Sequence, residues 1–145
     1  MSEQISVLAV RQPWANWIVQ GFKHLEVRST HTKKRGEVAI YASRTKPVDS
    51  ELDLYYKYFQ RRLLPIPEVL QGHIIGTANL KESFPVGSFE GFRSLAENHH
   101  NPLSYYRDGL YFWQFGNAQK VQPVEFKFNG SIVWSSIDRE KIKVI

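Results

Sequence analysis

Arg11, Lys23, Glu26 and Arg28 bring four charges into the first thirty residues, close enough together to build one site. Glu26 can accept a hydrogen bond from a base amino group or balance a neighbouring cation. Arg11, Lys23 and Arg28 can hold a phosphate or another anion, and Arg28 also suits bidentate phosphate contact or stacking on a base. A helix opening at Pro13 would add unpaired backbone N–H groups and the positive end of its dipole to the same place. A Lys23/Glu26 pair can also act as general acid and base. The same charges can also form a salt-bridge network fastening one element to the next, and residue types alone leave binding, catalysis and structure open. Trp14 can stack on a base at the rim, or belong to the core with Trp17 and Ile18 at helical spacing.

The surrounding charge favours a polyanion. Between Lys23 and Lys46 lie seven basic residues (Lys23, Arg28, Lys33, Lys34, Arg35, Arg44, Lys46) and two acidic ones (Glu26, Glu37). That surplus equals the net charge of +5 for the whole chain. A concentrated basic patch attracts phosphate in a sequence-independent, salt-sensitive way, although a solvated Lys-rich loop would look the same. His24 and His31 add pH-dependent charge beside it.

Other chemistries are absent from the pattern. The chain has no cysteine, which excludes disulfides, thiolate metal sites and thiol nucleophiles. His99 and His100 are adjacent, have no carboxylate cluster beside them and read as an exposed loop, so no metal is expected. There is no phosphate-binding glycine loop and no dinucleotide fingerprint, so no cofactor is expected either. No apolar run approaches the ~18 residues of a membrane span. The expected setting is cytoplasmic, or nuclear in a eukaryote.

The elements that must position these residues follow from periodicity. Ile5 to Val10 is a buried strand, and Pro13 opens a short helix that Gly21 closes. His24 to Arg28 alternates as a half-buried strand that puts Glu26 and Arg28 on one face. Strict alternation would send Lys23 to the opposite face, so it can join them only from the turn after Gly21. Residues 29–35 are polar and basic, and Glu37 to Ser43 returns as an apolar strand, which reads as a hairpin with a charged tip. Leu52, Tyr55, Tyr56, Phe59 and Leu63 mark a helix over about 51–63. His73 to Glu82 is a strand with a bulge or close backbone contact at Gly76, and Phe89 to Asn98 a helix. Leu110–Phe115, Gln119–Phe128 and Ser131–Trp134 read as strands, and the tail from Ser135 is ambiguous. The sum is one α+β domain over residues 1–145, with five or six short strands favouring a small, partly closed mixed β-barrel with inserted helices.

Leu8-Ala-Val-Arg-Gln-Pro-Trp14, Gly21-x-Lys23-x-x-Glu26-x-Arg28, and Arg35-Gly36 before a strand ending Ala42-Ser43 together resemble the ASCH family, most closely its activating signal cointegrator type. The similarity is dense over residues 7–46 and thinner to about 82. It implies a PUA-like barrel whose cleft lies where the first helix meets the sheet. It implies that Lys23, Glu26 and Arg28 line the cleft and that the ligand is nucleic acid, RNA first; with the helix start and the strand end, the candidate ligand-binding residues are Arg11, Gln12, Pro13, Trp14, Lys23, Glu26, Arg28 and Ser43. Some ASCH-like proteins are amidohydrolases acting on acetylated cytidine through the motif lysine and a threonine three positions later. Lys23 is present here, but Glu26 stands where the threonine would be, so that hydroxyl is missing.

The expectation is therefore nucleic-acid binding through the cleft around Lys23, Glu26 and Arg28 and the adjoining basic segment Lys33 to Lys46. A small hydrolase on a modified nucleoside or RNA, using Lys23 and Glu26, is the alternative. A second is a protein-binding, coregulator-like adaptor presenting Tyr105, Tyr106, Tyr111, Phe112 and Trp113.

Overall fold

The computed structural model describes residues 3–45, 70–129 and 132–145. Lys46 and the helix expected over 51–63 lie outside them. The elements are β1 (Gln4–Val10), α1 (Trp14–Val19), β2 (Leu25–Arg28), β3 (Gly36–Ala42), β4 (His73–Pro85), α2 (Phe89–Ser94), α3 (Ala96–His99), β5 (Tyr111–Glu125) and β6 (Trp134–Asp138). Single 3-10 turns lie at Leu103–Tyr105 and Arg139–Lys141.

The six strands make one mixed sheet in the order β2-β5-β4-β3-β1-β6. β1 runs parallel to β3, and every other neighbouring pair is antiparallel. β1 and β3 sit inside the sheet and bury both faces, which is why their sequences read as continuous apolar runs. Leu8, Val10, Val38, Ile40 and Ala42 face α1 with Trp14, Trp17 and Ile18. Ile5, Val7, Ala39 and Tyr41 fill the opposite face with Ile74, Val121 and Ile137. A third cluster of Leu25, Val86, Phe92, Leu110 and Phe112 seats the two short helices beside β2.

Among the described residues the sheet is not closed by backbone pairing; in place of the expected partly closed barrel it is an open sheet with β2 and β6 at its edges. Side chains span the gap instead. β6 pairs with β1 only from Gln4 to Leu8, and the next carbonyl along that edge, Ala9, accepts from Arg28 Nη2 of β2 at 2.7 Å. Trp113 of β5 and Trp134 of β6 stack at 5.9 Å and 6°. The Arg28 guanidinium lies 5.3 Å from the Trp113 ring centroid and the Lys34 ammonium 5.3 Å from that of Trp134, so each ring of the stack carries a cation.

The expected hairpin of residues 24–43 is also corrected. β2 pairs with β5, whereas β3 pairs with β1 and β4. Alternation identifies a strand but not its partner, and a seven-residue connection is longer than the loops that usually force neighbours to pair. The strands expected at Leu110–Phe115 and Gln119–Phe128 merge into one, Tyr111–Glu125, which stops before Phe126, with Asn117 at φ 51 and register shifts against β4 along it. The helix expected over Phe89–Asn98 breaks at Leu95 into α2 and α3. The strand expected at Ser131–Trp134 is corrected: β6 takes from it Trp134 and otherwise lies in the tail that periodicity left undecided, Ser131 being outside the described residues. Gly76 fulfils both meanings assigned to it. The register against β3 shifts beside it, and a Cβ there would stand 2.5 Å from Val19 of α1 and 2.6 Å from the Gln119 carbonyl.

Candidate functional site

Lys23 reaches its place through the end of α1. The Phe22 N–H donates to the Trp17 carbonyl at 2.9 Å and the Gly21 N–H to that of Ile18 at 3.0 Å. Gly21 has φ +84, so this is the left-handed closure that glycine adopts without a Cβ penalty. The Lys23 N–H also donates to Trp17 O, at 3.0 Å. Lys23 thus lies in the turn, before strand geometry begins, and comes round to the side of Glu26.

Its ammonium is enclosed, with the side chain fully buried. It donates to the carbonyls of Leu25, at 2.8 Å, and His99, and lies 3.5 Å from Glu26 Oε1. Burial lowers its pKa to about 8, with Glu26 opposing the shift. Glu26 accepts from Arg28 through Oε2, at 3.0 Å from Nε and 2.9 Å from Nη2. Burial alone would raise the Glu26 pKa, but Arg28 and then Lys23 outweigh it and hold the carboxyl below its ordinary value. Glu26 is therefore an ionised acceptor. Arg28 spends Nε and Nη2 on Glu26 and Ala9, leaving its Nη1 amino group without a partner among the described residues.

His99 supports Lys23 from beneath, and the expected exposed histidine loop is corrected: both His99 and His100 are buried. His99 stacks on Phe92 at 4.2 Å and donates from Nε2 to the Phe92 carbonyl, while Nδ1 accepts from the Asn101 N–H at 2.9 Å. Burial pushes its pKa down to about 4, against the Phe92 carbonyl and with help from Lys23 and His100. Protonating Nδ1 would also set two donors head-on. His100 Nε2 bonds Phe22 O at 2.8 Å, and its own carbonyl accepts from Trp14 Nε1 at 2.8 Å.

Two hollows open above this base. A smaller one, about 260 Å³, is lined by Ala9, Val10, Arg11, Trp14, Glu26, Val27, Arg28, Asn101 and Tyr105. A larger one, about 420 Å³, is lined by Ala9, Arg28, Tyr41, Ser43, Arg44, Thr45, Phe128, Ile132 and Val133. Ala9 and Arg28 are common to both. The first brings together four of the expected residues, Arg11, Trp14, Glu26 and Arg28, and the second adds Ser43 and Arg44 to Arg28. The Arg44 guanidinium lies against the backbone of Gly72, where a Cβ would stand only 2.7 Å from it.

The remaining expected residues are elsewhere. Gln12 is buried; its Nε2 donates to Asn16 Oδ1 and the Leu70 carbonyl, and its Oε1 accepts from the Asn16 N–H at 3.0 Å. It caps α1 in place of Pro13, which immediately precedes the helix and has no side chain able to do so. Ala15 N–H goes to Arg11 O, Asn16 N–H to Gln12 and Trp17 N–H to Pro13 O, so the chain itself takes three of the N–H groups that the expected anion site at this helix start would use. Lys33, Lys34 and Arg35 line neither hollow. Lys34 bonds Ser6 Oγ at 2.8 Å, and Arg35 donates to the carbonyls of Thr32 and Lys34. Of the aromatic run named for the adaptor alternative, Phe112 and Trp113 are core, each 1% exposed, whereas Tyr106 and Tyr111 are half-buried and Tyr105 is exposed.

Asn101, Tyr41, Thr45, Phe128, Ile132 and Val133 complete the hollows, and no sequence signal singled them out. Tyr105 stood out only as part of an aromatic run; it joins the site because its ring lies 6.2 Å from that of Trp14. Among the described residues, no group of three or more His, Asp or Glu side chains is placed to hold a metal, and no helix is long and apolar enough to cross a membrane.

An open mixed sheet carrying one short helix on its face is a fold shared with solved ASCH structures. The crystal structure of ASCH from Zymomonas mobilis superposes with a TM-score of 0.62 at 18% identity, covering 94% of this chain and 89% of that one. A tyrosine-to-phenylalanine mutant of the same bacterial protein gives the same TM-score at 16% identity, covering 94% of this chain and 91% of that one. The chain belongs to the ASCH domain family, whose sequence model matches residues 8–128. Human activating signal cointegrator 1 is 30% identical over 103 residues, covering 68% of this chain, and the mouse protein is 30% identical over 87 residues, covering 57%. The aligned regions are 18% and 15% of those two proteins, so the chain spans about a fifth of their length or less.

Proposed function

We propose that this ASCH domain binds RNA or another single-stranded nucleic acid through the smaller hollow. The observation that carries the reading is the state of Arg28 and Glu26 on one wall. A guanidinium whose Nη1 is uncommitted among the described residues stands beside a carboxylate held ionised, and Trp14 and Tyr105 line the same hollow. A phosphate meets Arg28 and Arg11, a base amino group meets Glu26, and the exposed Tyr105 ring offers a stacking face, Trp14 being only 5% exposed and packed behind it. The basic segment Lys33 to Lys46 adds general attraction for a strand long enough to reach it. PUA-like architecture supports a site of this kind without dictating it.

Lys23 acts from below. Its donors are taken up by two carbonyls and Glu26, so it orients the carboxylate and contributes charge without touching a ligand in either hollow. The test is fluorescence anisotropy with a labelled single-stranded oligoribonucleotide at low salt, comparing wild type with Arg28→Gln and Tyr105→Ala. Saturable binding weakened by both changes supports the reading. Binding unaffected by both would place the nucleic acid elsewhere.

A further inference from the structure

The larger hollow differs in chemistry from the smaller one and shares a wall with it. Tyr41 and Phe128 stack at 5.5 Å and 19° along one side, with Phe126 edge-on to both. Ile132 and Val133, about half exposed, extend the apolar side. Ser43, Arg44 and Thr45 supply the polar lining, and no acidic residue joins them among the described residues. Ser43 Oγ accepts from the Thr45 N–H at 3.1 Å, which leaves the hydroxyl proton to donate outward. An apolar, ring-bearing lining combined with a cationic and hydroxyl-bearing one matches a molecule with a planar face and an anionic end. The volume lies in the range of small-ligand sites.

We propose that this hollow is the subsite for a second nucleotide, adjacent on the same single strand to the one in the smaller hollow. The inference rests on the nucleic-acid reading of that smaller hollow. Arg28 lines both spaces and its Nη1 is uncommitted among the described residues, so it is placed to hold the phosphate joining the two nucleotides. The second base lies on the Phe128, Ile132 and Val133 side, and its outer phosphate meets Arg44 with Ser43 beside it. The ligand is then an unpaired dinucleotide step, since two bases splayed into separate hollows cannot remain in a duplex.

Calorimetric titration of the protein with AMP and pApA, and with CMP and pCpC, tests this. The wild-type protein is expected to bind each dinucleotide about tenfold more tightly than its mononucleotide, the scale of one stacked base. Phe128→Ala and, as a surface change that leaves the core alone, Arg44→Gln should each bring that ratio towards one. Dinucleotides no tighter than mononucleotides, while a single-stranded 12-mer binds, would overturn the second subsite and leave the first reading standing. A tenfold ratio retained in both variants would also overturn it. No binding of mononucleotide, dinucleotide or 12-mer would overturn the subsite and the nucleic-acid reading together.

Discussion

Glu26 sets the charge balance of the cleft, because it is the acidic group between a buried ammonium and a half-committed guanidinium. Glu26→Gln leaves Lys23 buried without its counter-charge and is expected to cost about 3 kcal/mol in urea unfolding; wild-type stability would mean the pair contributes nothing to the fold. His99 gives a separate pH signature. Its folded value of about 4 lies below the ordinary 6.5, so between those values the unfolded chain binds a proton that the folded one does not, and stability falls as pH falls through that window. Glu26, also depressed, contributes stability above its ordinary value of 4.5 that is lost at still lower pH. His99→Phe should therefore flatten the slope of stability between the two His99 values in equilibrium unfolding by up to one proton, and an unchanged slope would assign the acid sensitivity to another group. The sequence made Glu26 and Arg28 visible through their shared strand face. His99 was invisible because what buries it, Phe92 and Phe112 stacking on its ring, comes together only when α2, α3 and β5 pack.

The elements explain why this cleft has a floor. α1 is six residues long, too short to be stable by itself, and it is held by the Trp17 and Ile18 side chains on the sheet, by Gln12 at its start and by Gly21 at its end. Gly21→Ala puts a Cβ on a residue at φ +84 and is expected to cost about 1 kcal/mol. Gly76→Ala meets both Val19 and the Gln119 carbonyl and is expected to cost about 1–3 kcal/mol as overpacking. Adding Val19→Ala should recover only part of that loss, because the carbonyl stays; full recovery in thermal or urea unfolding would show that β4 and β5 can shift apart freely. Pro13, Gly21 and Gly76 were legible as punctuation. Pairing was not legible, since the apolar strands β1 and β3 show no alternation to fix which face is which, and β2 finds its partner some eighty residues away on β5.

Across the whole molecule, the open sheet brings its two edges close enough for Arg28 and the Trp113–Trp134 stack to span them, and the hollows lie along that seam. Arg11, Arg28 and Arg44 line them, whereas Lys33, Lys34 and Arg35 do not. Replacing those last three residues should leave the calorimetric affinity for a dinucleotide unchanged and make the salt dependence shallower only for longer strands. The family motif and the basic surplus pointed to this region, with the basic segment expected beside the cleft; of that segment Arg44 lines the larger hollow, whereas Lys33, Lys34 and Arg35 line neither. Nucleic-acid binding itself is tested most plainly by the affinity of the wild-type domain for a single-stranded 12-mer RNA as salt is raised from a low starting concentration. Saturable binding is predicted, its log affinity falling linearly with log salt at a slope of about −0.7 for each phosphate neutralised. No saturable binding at the lowest salt would contradict the nucleic-acid assignment.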